Sequence, residues 1–234
     1  MPTSYDAAWD RALGGSDTVV YGPDIPGETE LRLLGDLKGE RVLDLGCGPG
    51  ASAVAVAKQG AIAIAVDGSA DNLAAAKRAA EENEVRVEFH QADLADLAYV
   101  RADTIDVVLS VWALAHVEDL NRVFRQVHRV MKTNAPFVFS LPHPAYDTLD
   151  DDADDPLTVR RSYWDDSPVV HEDGNTDFRR TTSDLVTGLV RANFSIDWLL
   201  EPEPAPSGHR SPFWRDTFTH VPRTLIMRAR KEGI

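Results

Sequence analysis

One cysteine, Cys47, stands in 234 residues. It cannot form an internal disulfide, which excludes a disulfide-stapled scaffold and fits a reducing cytoplasm. Positive charge is scarce too: 24 Lys and Arg face 38 Asp and Glu, a formal net charge of −14. A chain this acidic is repelled by a phosphate backbone, so no nucleic-acid partner is expected. Long hydrophobic runs are missing. Residues 54–66, the longest weakly polar stretch, are broken by Lys58, Gln59 and Gly60, well short of the ~18 apolar residues of a membrane span. The opening MPTSYDAAWDRA has neither a basic start nor an apolar core, so neither a signal peptide nor a membrane partner is expected. There are seven histidines, none spaced as H-x₃-H, so no metal site is expected.

What is present is a core. Hydrophobic residues make up 43% of the chain, and a protein of this length buries roughly 70–75% of its unfolded surface. Against ~150 residues per domain, the length suits one large domain. Apolar periodicity alternates between about two and about three and a half, the mark of an α/β fold. Residues 28–37 predict a helix, 41–45 a strand, 51–58 a helix of small residues and 62–66 a second strand. Ser69 or Asp71 caps a helix over 72–82, and 85–90 and 105–110 read as strands, the latter buried on both faces. Asp119 caps the clearest helix, whose stripe is Leu120, Val123, Phe124, Val127, Val130 and Met131. A strand over 135–141 follows. Thr182 or Ser183 caps a last helix with Leu185, Leu189 and Val190 inward, and strands over 196–200 and 218–227 close the chain.

Residues 143–177 differ in composition: eleven acids against two arginines give a net −9, leaving −5 for all the rest. The run DTLDDDADDP has no glycine at the turn position of a calcium loop and no bidentate glutamate at the required offset. It reads as a solvated loop, or alternatively as an acidic lid that attracts a cationic substrate.

The string RVLDLGCGPGASAVAVA places Gly46, Gly48 and Gly50 between a strand and a helix, where small residues let a ligand approach the free amides of the helix start. The spacing is G-x-G-x-G, whereas the dinucleotide fingerprint is G-x-G-x-x-G. Asp44, two residues before the first glycine, opposes a pyrophosphate and suits an ammonium or sulfonium group. Asp67 ends the second strand, where a carboxylate accepts from ribose hydroxyls. Asp93 follows the third, where a carboxylate and nearby amides read an adenine amino group. Each alone also fits a helix cap or turn former; their succession at three strand ends points to a nucleoside.

The strings VLDLGCGPG, AVDGSADNLAAAK, ADLADL and DVVLSVWALAHVEDLNRVFRQVHRVMK resemble the class I S-adenosylmethionine-dependent methyltransferases of small-molecule type. The resemblance spans residues 41–141. It implies a Rossmann-like sheet of seven strands in the order 3-2-1-4-5-7-6, strand 7 antiparallel, with helices on both faces. It also implies S-adenosyl-L-methionine as cofactor and a small-molecule methyl acceptor. Asp44, Gly46, Cys47, Gly48 and Gly50 would surround the methionine part. Asp67, with Gly68 and Asn72, would hold the ribose, Asp93 and Leu94 the adenine, and Ser110, Val111 and Trp112 the sulfonium side. Tyr21 resembles an aromatic that covers the cofactor. One domain is then expected: an N-terminal cap over 1–40, a cofactor core over 41–141, a mobile acidic insertion over 142–181, and sheet-completing elements over 182–234. A non-catalytic cofactor-binding module and a tRNA-base methyltransferase share such a core, and the latter lacks the basic track it needs.

Displacement at a sulfonium disperses charge, so alignment does most of the work. A base is required only for a protonated acceptor. His143, after the fifth strand, lies on the edge where open sheets bind ligands, and His116 follows the fourth; either is a candidate base, and each equally suits a structural role. Cys47 has no base fixed beside it and is not read as a nucleophile. Tyr163, Trp164, Phe213 and Trp214 are placed to roof an acceptor or to pack their own loops.

Overall fold

Runs rich in Val, Ile, Leu and Ala form the strands of the sheet, because β-branched side chains suit a pleated surface buried on both sides. The computed structural model describes residues 17–150, 153–171, 174–205 and 210–233. Residues 1–16 of the expected N-terminal cap, and residues 151–152 and 172–173 of the acidic segment, lie outside the described residues.

Strands β1 (Arg41–Leu45), β2 (Ile62–Asp67), β3 (Val87–Gln91), β4 (Val107–Val111) and β5 (Pro136–Pro142) are parallel, and β8 (Phe194–Leu200) and β9 (Thr224–Lys231) complete the sheet. The order is β3-β2-β1-β4-β5-β9-β8, with β9 antiparallel to both neighbours, so the expected topology holds, the expected strand 7 being β9. A hairpin of β6 (Val169–Val170) and β7 (Thr176–Asp177) stands apart from it. Helices α2 (Ala51–Lys58) and α3 (Ala70–Glu82) join the first three strands, α4 (Leu120–Val130) joins β4 to β5, and α5 (Thr182–Arg191) precedes β8. Ser69 Oγ accepts from Asn72 N–H and the Asp119 carboxylate from Arg122 N–H, as caps should. The α4 stripe buries Leu120, Val123, Phe124, Val127 and Val130, with Phe124 against Phe137 and Phe139 of β5. Each such side chain contributes about 1.5–3 kcal/mol of burial.

Three elements depart most from expectation. The first helix, α1, stops at Glu28–Leu31 because Arg32 turns left-handed (φ 51°). The Glu28 carboxylate then accepts the amides of Leu33 and Leu34 at 2.9 and 2.8 Å, replacing the carbonyls a continued helix would offer. The last strand starts at Thr224, since Pro222 has no N–H for a ladder, and Phe218 sits in a 3₁₀ turn, Asp216–Thr219. Helix α5 is capped one residue earlier, by Thr181 in a reciprocal pair with Asp184. Val190 is 60% exposed, being about 100° around the helix from buried Leu189.

Candidate active site

The glycine turn follows from crowding. Amides of Gly46 and Cys47 both donate to Val66 O, at 2.8 and 2.9 Å, pinning the turn to the end of β2. Gly46 has φ +81°, and a Cβ there would lie 2.2 Å from Ala113 Cβ; Gly50 has φ +96° with Ala76 Cβ at 2.7 Å. No other residue fits either place. Cys47 is buried among Ala53, Ala65, Leu73 and Ala76. The Asp67 carboxylate braces two loops: Oδ2 accepts Gly48 N–H at 2.9 Å, and Oδ1 accepts Ser69 N–H at 2.8 Å and Asn72 Nδ2 at 3.2 Å.

Beyond this turn opens a cleft of about 1130 Å³ at the carboxyl edge of the sheet. Of the residues singled out in the sequence, Gly46, Gly48, Asp67, Gly68, Asn72, Asp93, Leu94 and His116 line it. Gln91, Ala113 and Asn175 line it as well. Gln91 ends β3 and donates to Gly68 O, a place readable from strand position; Asn175 arrives from the distant hairpin and carries no local signal. Other expected residues lie behind the wall. Asp44 is buried within β1, and Ser110 Oγ donates to Leu45 O at 2.6 Å, tying β4 to β1. Val111 ends β4 inside the core, and Trp112 is fully buried with a left-handed φ of 58°, its N–H donating to Ser140 O. Tyr21 does not cover the cleft: it is wholly buried, donates to Glu28 Oε2 at 2.6 Å, and its phenol is held well above the usual range by burial and by the Glu28 charge.

The family model described as "Methyltransferase domain" matches residues 43–139. A Listeria monocytogenes structure assigned as an S-adenosylmethionine dependent methyltransferase is 28% identical with a TM-score of 0.73, covering 87% of this chain and 95% of that one. The chain is an S-adenosylmethionine-dependent methyltransferase. A second such methyltransferase, from Mesorhizobium loti, is 26% identical with a TM-score of 0.70 over 86% of this chain and 95% of that chain. Ubiquinone biosynthesis O-methyltransferase of Pseudomonas syringae is 37% identical over 105 residues, 45% of this chain and 45% of that enzyme. The present methyltransferase thus spans under half the length of that relative. Its cofactor is S-adenosylmethionine. The site fits that molecule: a side-chain-free turn, a carboxylate at the end of β2, and an exposed carboxylate after β3 surround a cleft large enough for a nucleoside and an amino acid.

The two candidate histidines of the methyltransferase differ in what engages them. His143 is 5% exposed; its Nδ1 accepts Ala145 N–H at 3.1 Å, and its Nε2 lies 2.8 Å from Glu201 Oε1. With Nδ1 accepting, Nε2 carries the proton that reaches Glu201, so both edges serve the loop. His116 lines the cleft, its Nδ1 2.8 Å from Asp177 Oδ1, while His171 Nε2 reaches Asp177 Oδ2 at 2.8 Å. Burial alone would raise the Asp177 carboxyl, but hydrogen bonds and charge from His116 and His171 outweigh it and hold the acid below its usual range. The strap formed by residues 176–180, which carries Asp177, is fastened by Phe178 N–H to Ala115 O at 2.8 Å, and by Arg180 Nη2 to the carbonyls of Val117 and Glu118.

Beneath the acidic 142–181 surface lies a basic interior. Asp147, in the turn Tyr146–Thr148, has its carboxyl pushed up to about 6 by burial, with Arg223, Arg179 and Arg161 opposing the rise and Asp177 adding to it. Arg179 donates to the carbonyls of Asp165 and Asp147. Of the aromatic side chains expected as a roof, Trp164 is 80% exposed beside Tyr163, while Phe213 is buried in the core and Trp214 stacks under Arg210. Among the described residues no group of three His, Cys, Asp or Glu is placed to hold a metal, and no helix is long and apolar enough to cross a membrane.

Proposed function

We propose that this methyltransferase methylates a small-molecule acceptor. In this reading Asp67 accepts from the ribose, Asp93 and Leu94 meet the adenine, and the Gly46–Gly48 backbone lies along the methionine part. Bound S-adenosylmethionine supplies an electrophilic methyl group. Where the acceptor carries a proton, His116 removes it at Nε2, because Asp177 on the other side holds the proton of Nδ1 and stabilises the imidazolium that forms. The carrying observation is the cleft itself, which gathers Asp67, Asp93 and His116 around one space. A net charge of −14 and the acidic segment beside the cleft support a small acceptor over a tRNA. The likeness to an O-methyltransferase makes hydroxyl acceptors the first to try.

The test is incubation with labelled S-adenosylmethionine and a metabolite extract, followed by mass analysis. A product heavier by CH₂ is expected, and its fragmentation identifies the atom methylated. Calorimetry is expected to find binding of S-adenosylhomocysteine; tighter binding of NAD would overturn the reading.

A further inference from the structure

Arg223 immediately precedes β9, whose first residue Thr224 pairs with Pro142 at the end of β5. The Arg223 carbonyl accepts His143 N–H at 3.0 Å, which fixes the residue at the carboxyl edge of the sheet, the edge that also carries the cleft. Its side chain runs inward. Only 6% of the residue is exposed, and its Cζ lies 4.7 Å from the ring centroid of Trp112 and 4.7 Å from that of Tyr146. Nε and Nη1 are both buried and find no hydrogen-bond acceptor among the described residues. A guanidinium cannot shed its proton to relieve this. Stacking between two rings recovers only part of the desolvation cost of the charge. Asp147 is near enough to feel that charge but accepts no hydrogen bond from Nε or Nη1. A buried cation with two idle donors at the ligand edge of a sheet is a site waiting for an anion.

We propose that Arg223 binds a carboxylate of the methyl acceptor, so that this methyltransferase acts on a small organic acid. This rests on the methyltransferase reading and narrows its substrate class. A carboxylate matches the fork of donors and carries one charge. A phosphate dianion would meet more repulsion from Asp147 and Asp177. One other carboxylate is available, that of the amino-acid portion of the cofactor, and the experiment separates the two.

Calorimetry on the full chain, with and without S-adenosylhomocysteine, measures binding of benzoate, its uncharged isostere benzamide, and inorganic phosphate. Benzoate is expected to bind at least tenfold more tightly than benzamide and phosphate. Arg223→Met is expected to weaken benzoate about 10- to 100-fold, the range for losing charged hydrogen bonds, and to leave S-adenosylhomocysteine within about twofold. Arg223→Lys, which keeps charge without the fork, is expected to fall between. If Arg223→Met does not fold by circular dichroism, the benzoate and benzamide comparison and Arg223→Lys still decide. Absence of benzoate binding, equal affinity for benzamide, tighter binding of phosphate, or unchanged benzoate affinity in a folded Arg223→Met would overturn the proposal. So would a loss confined to S-adenosylhomocysteine, which assigns Arg223 to the cofactor. Failure of the wild-type chain to bind S-adenosylhomocysteine at all would instead remove the methyltransferase reading beneath it.

Discussion

Replacing Asp147 by Asn should stabilise the protein at neutral pH, and the size of the gain follows from its surroundings. The carboxyl is pushed from 3.8 to about 6, chiefly by burial, against the pull of Arg223. Between those values the folded chain keeps the proton that the unfolded chain has already lost, so folding is opposed more strongly as pH rises through that window. A rise of about two units at 1.36 kcal/mol each sets the full cost near 3 kcal/mol above pH 6, and near zero below pH 4. Asn keeps the shape and removes the titration. Thermal unfolding of both chains from pH 4 to pH 8 should show a difference that grows with pH, reaching roughly 6–12 °C at pH 8 for a protein of this size. Other carboxylates titrate in both chains and cancel in the comparison. A difference that is flat with pH, or a variant less stable at pH 8, would refute the argument and show Asp147 to be held ionised by Arg223.

Asp67→Ala should weaken S-adenosylhomocysteine by about tenfold or more, since hydrogen bonds to a charged group contribute about 1.5–3 kcal/mol and the Gly48, Ser69 and Asn72 contacts go too; an unchanged affinity by calorimetry would place the ribose elsewhere. Gly46→Ala should cost about 2–5 kcal/mol in denaturant unfolding, combining a left-handed backbone with a methyl driven onto Ala113, and a loss below 1 kcal/mol would contradict the described crowding. His116→Gln should lower kcat by about 10²–10⁴ on a protic acceptor while leaving cofactor affinity intact; a loss under tenfold would take His116 out of proton transfer. His143→Gln should leave kcat within about tenfold, its effect appearing as lower thermal stability, because its ring serves Ala145 and Glu201; a larger loss of kcat at unchanged stability would return it to the chemistry.

Much of the core was legible because its signals are local. Helix α2 was bounded by Gly50 and by Gln59 and Gly60, and α4 by Asp119 and an unbroken stripe, so each began and ended within a residue of expectation. The cofactor turn was legible for the same reason, since Gly46 to Asp67 lie along one strand-helix-strand unit. Errors arose where a side chain reaches beyond its own segment. Glu28 is an ordinary helix-former by propensity, yet its carboxylate ends the helix by capturing Leu33 and Leu34. Tyr21 resembles an aromatic that covers the cofactor, yet its hydroxyl donates to Glu28, seven residues on, inside the core. Arg223 meets Trp112 and Tyr146 across distant parts of the chain, and no periodicity encodes such a meeting.

The strap that carries Asp177 and Arg180 is sewn to the turn after β4 by backbone and side-chain bonds alike. Its residues and those of that turn are therefore not independent in conformational entropy. A molecule that stills the turn from the cofactor side stills the strap as well, and a partner touching the strap finds part of its ordering cost already met. Thermodynamic reciprocity requires the same coupling in the opposite direction. Ligands held on the two sides of this seam would share a free energy without sharing a residue.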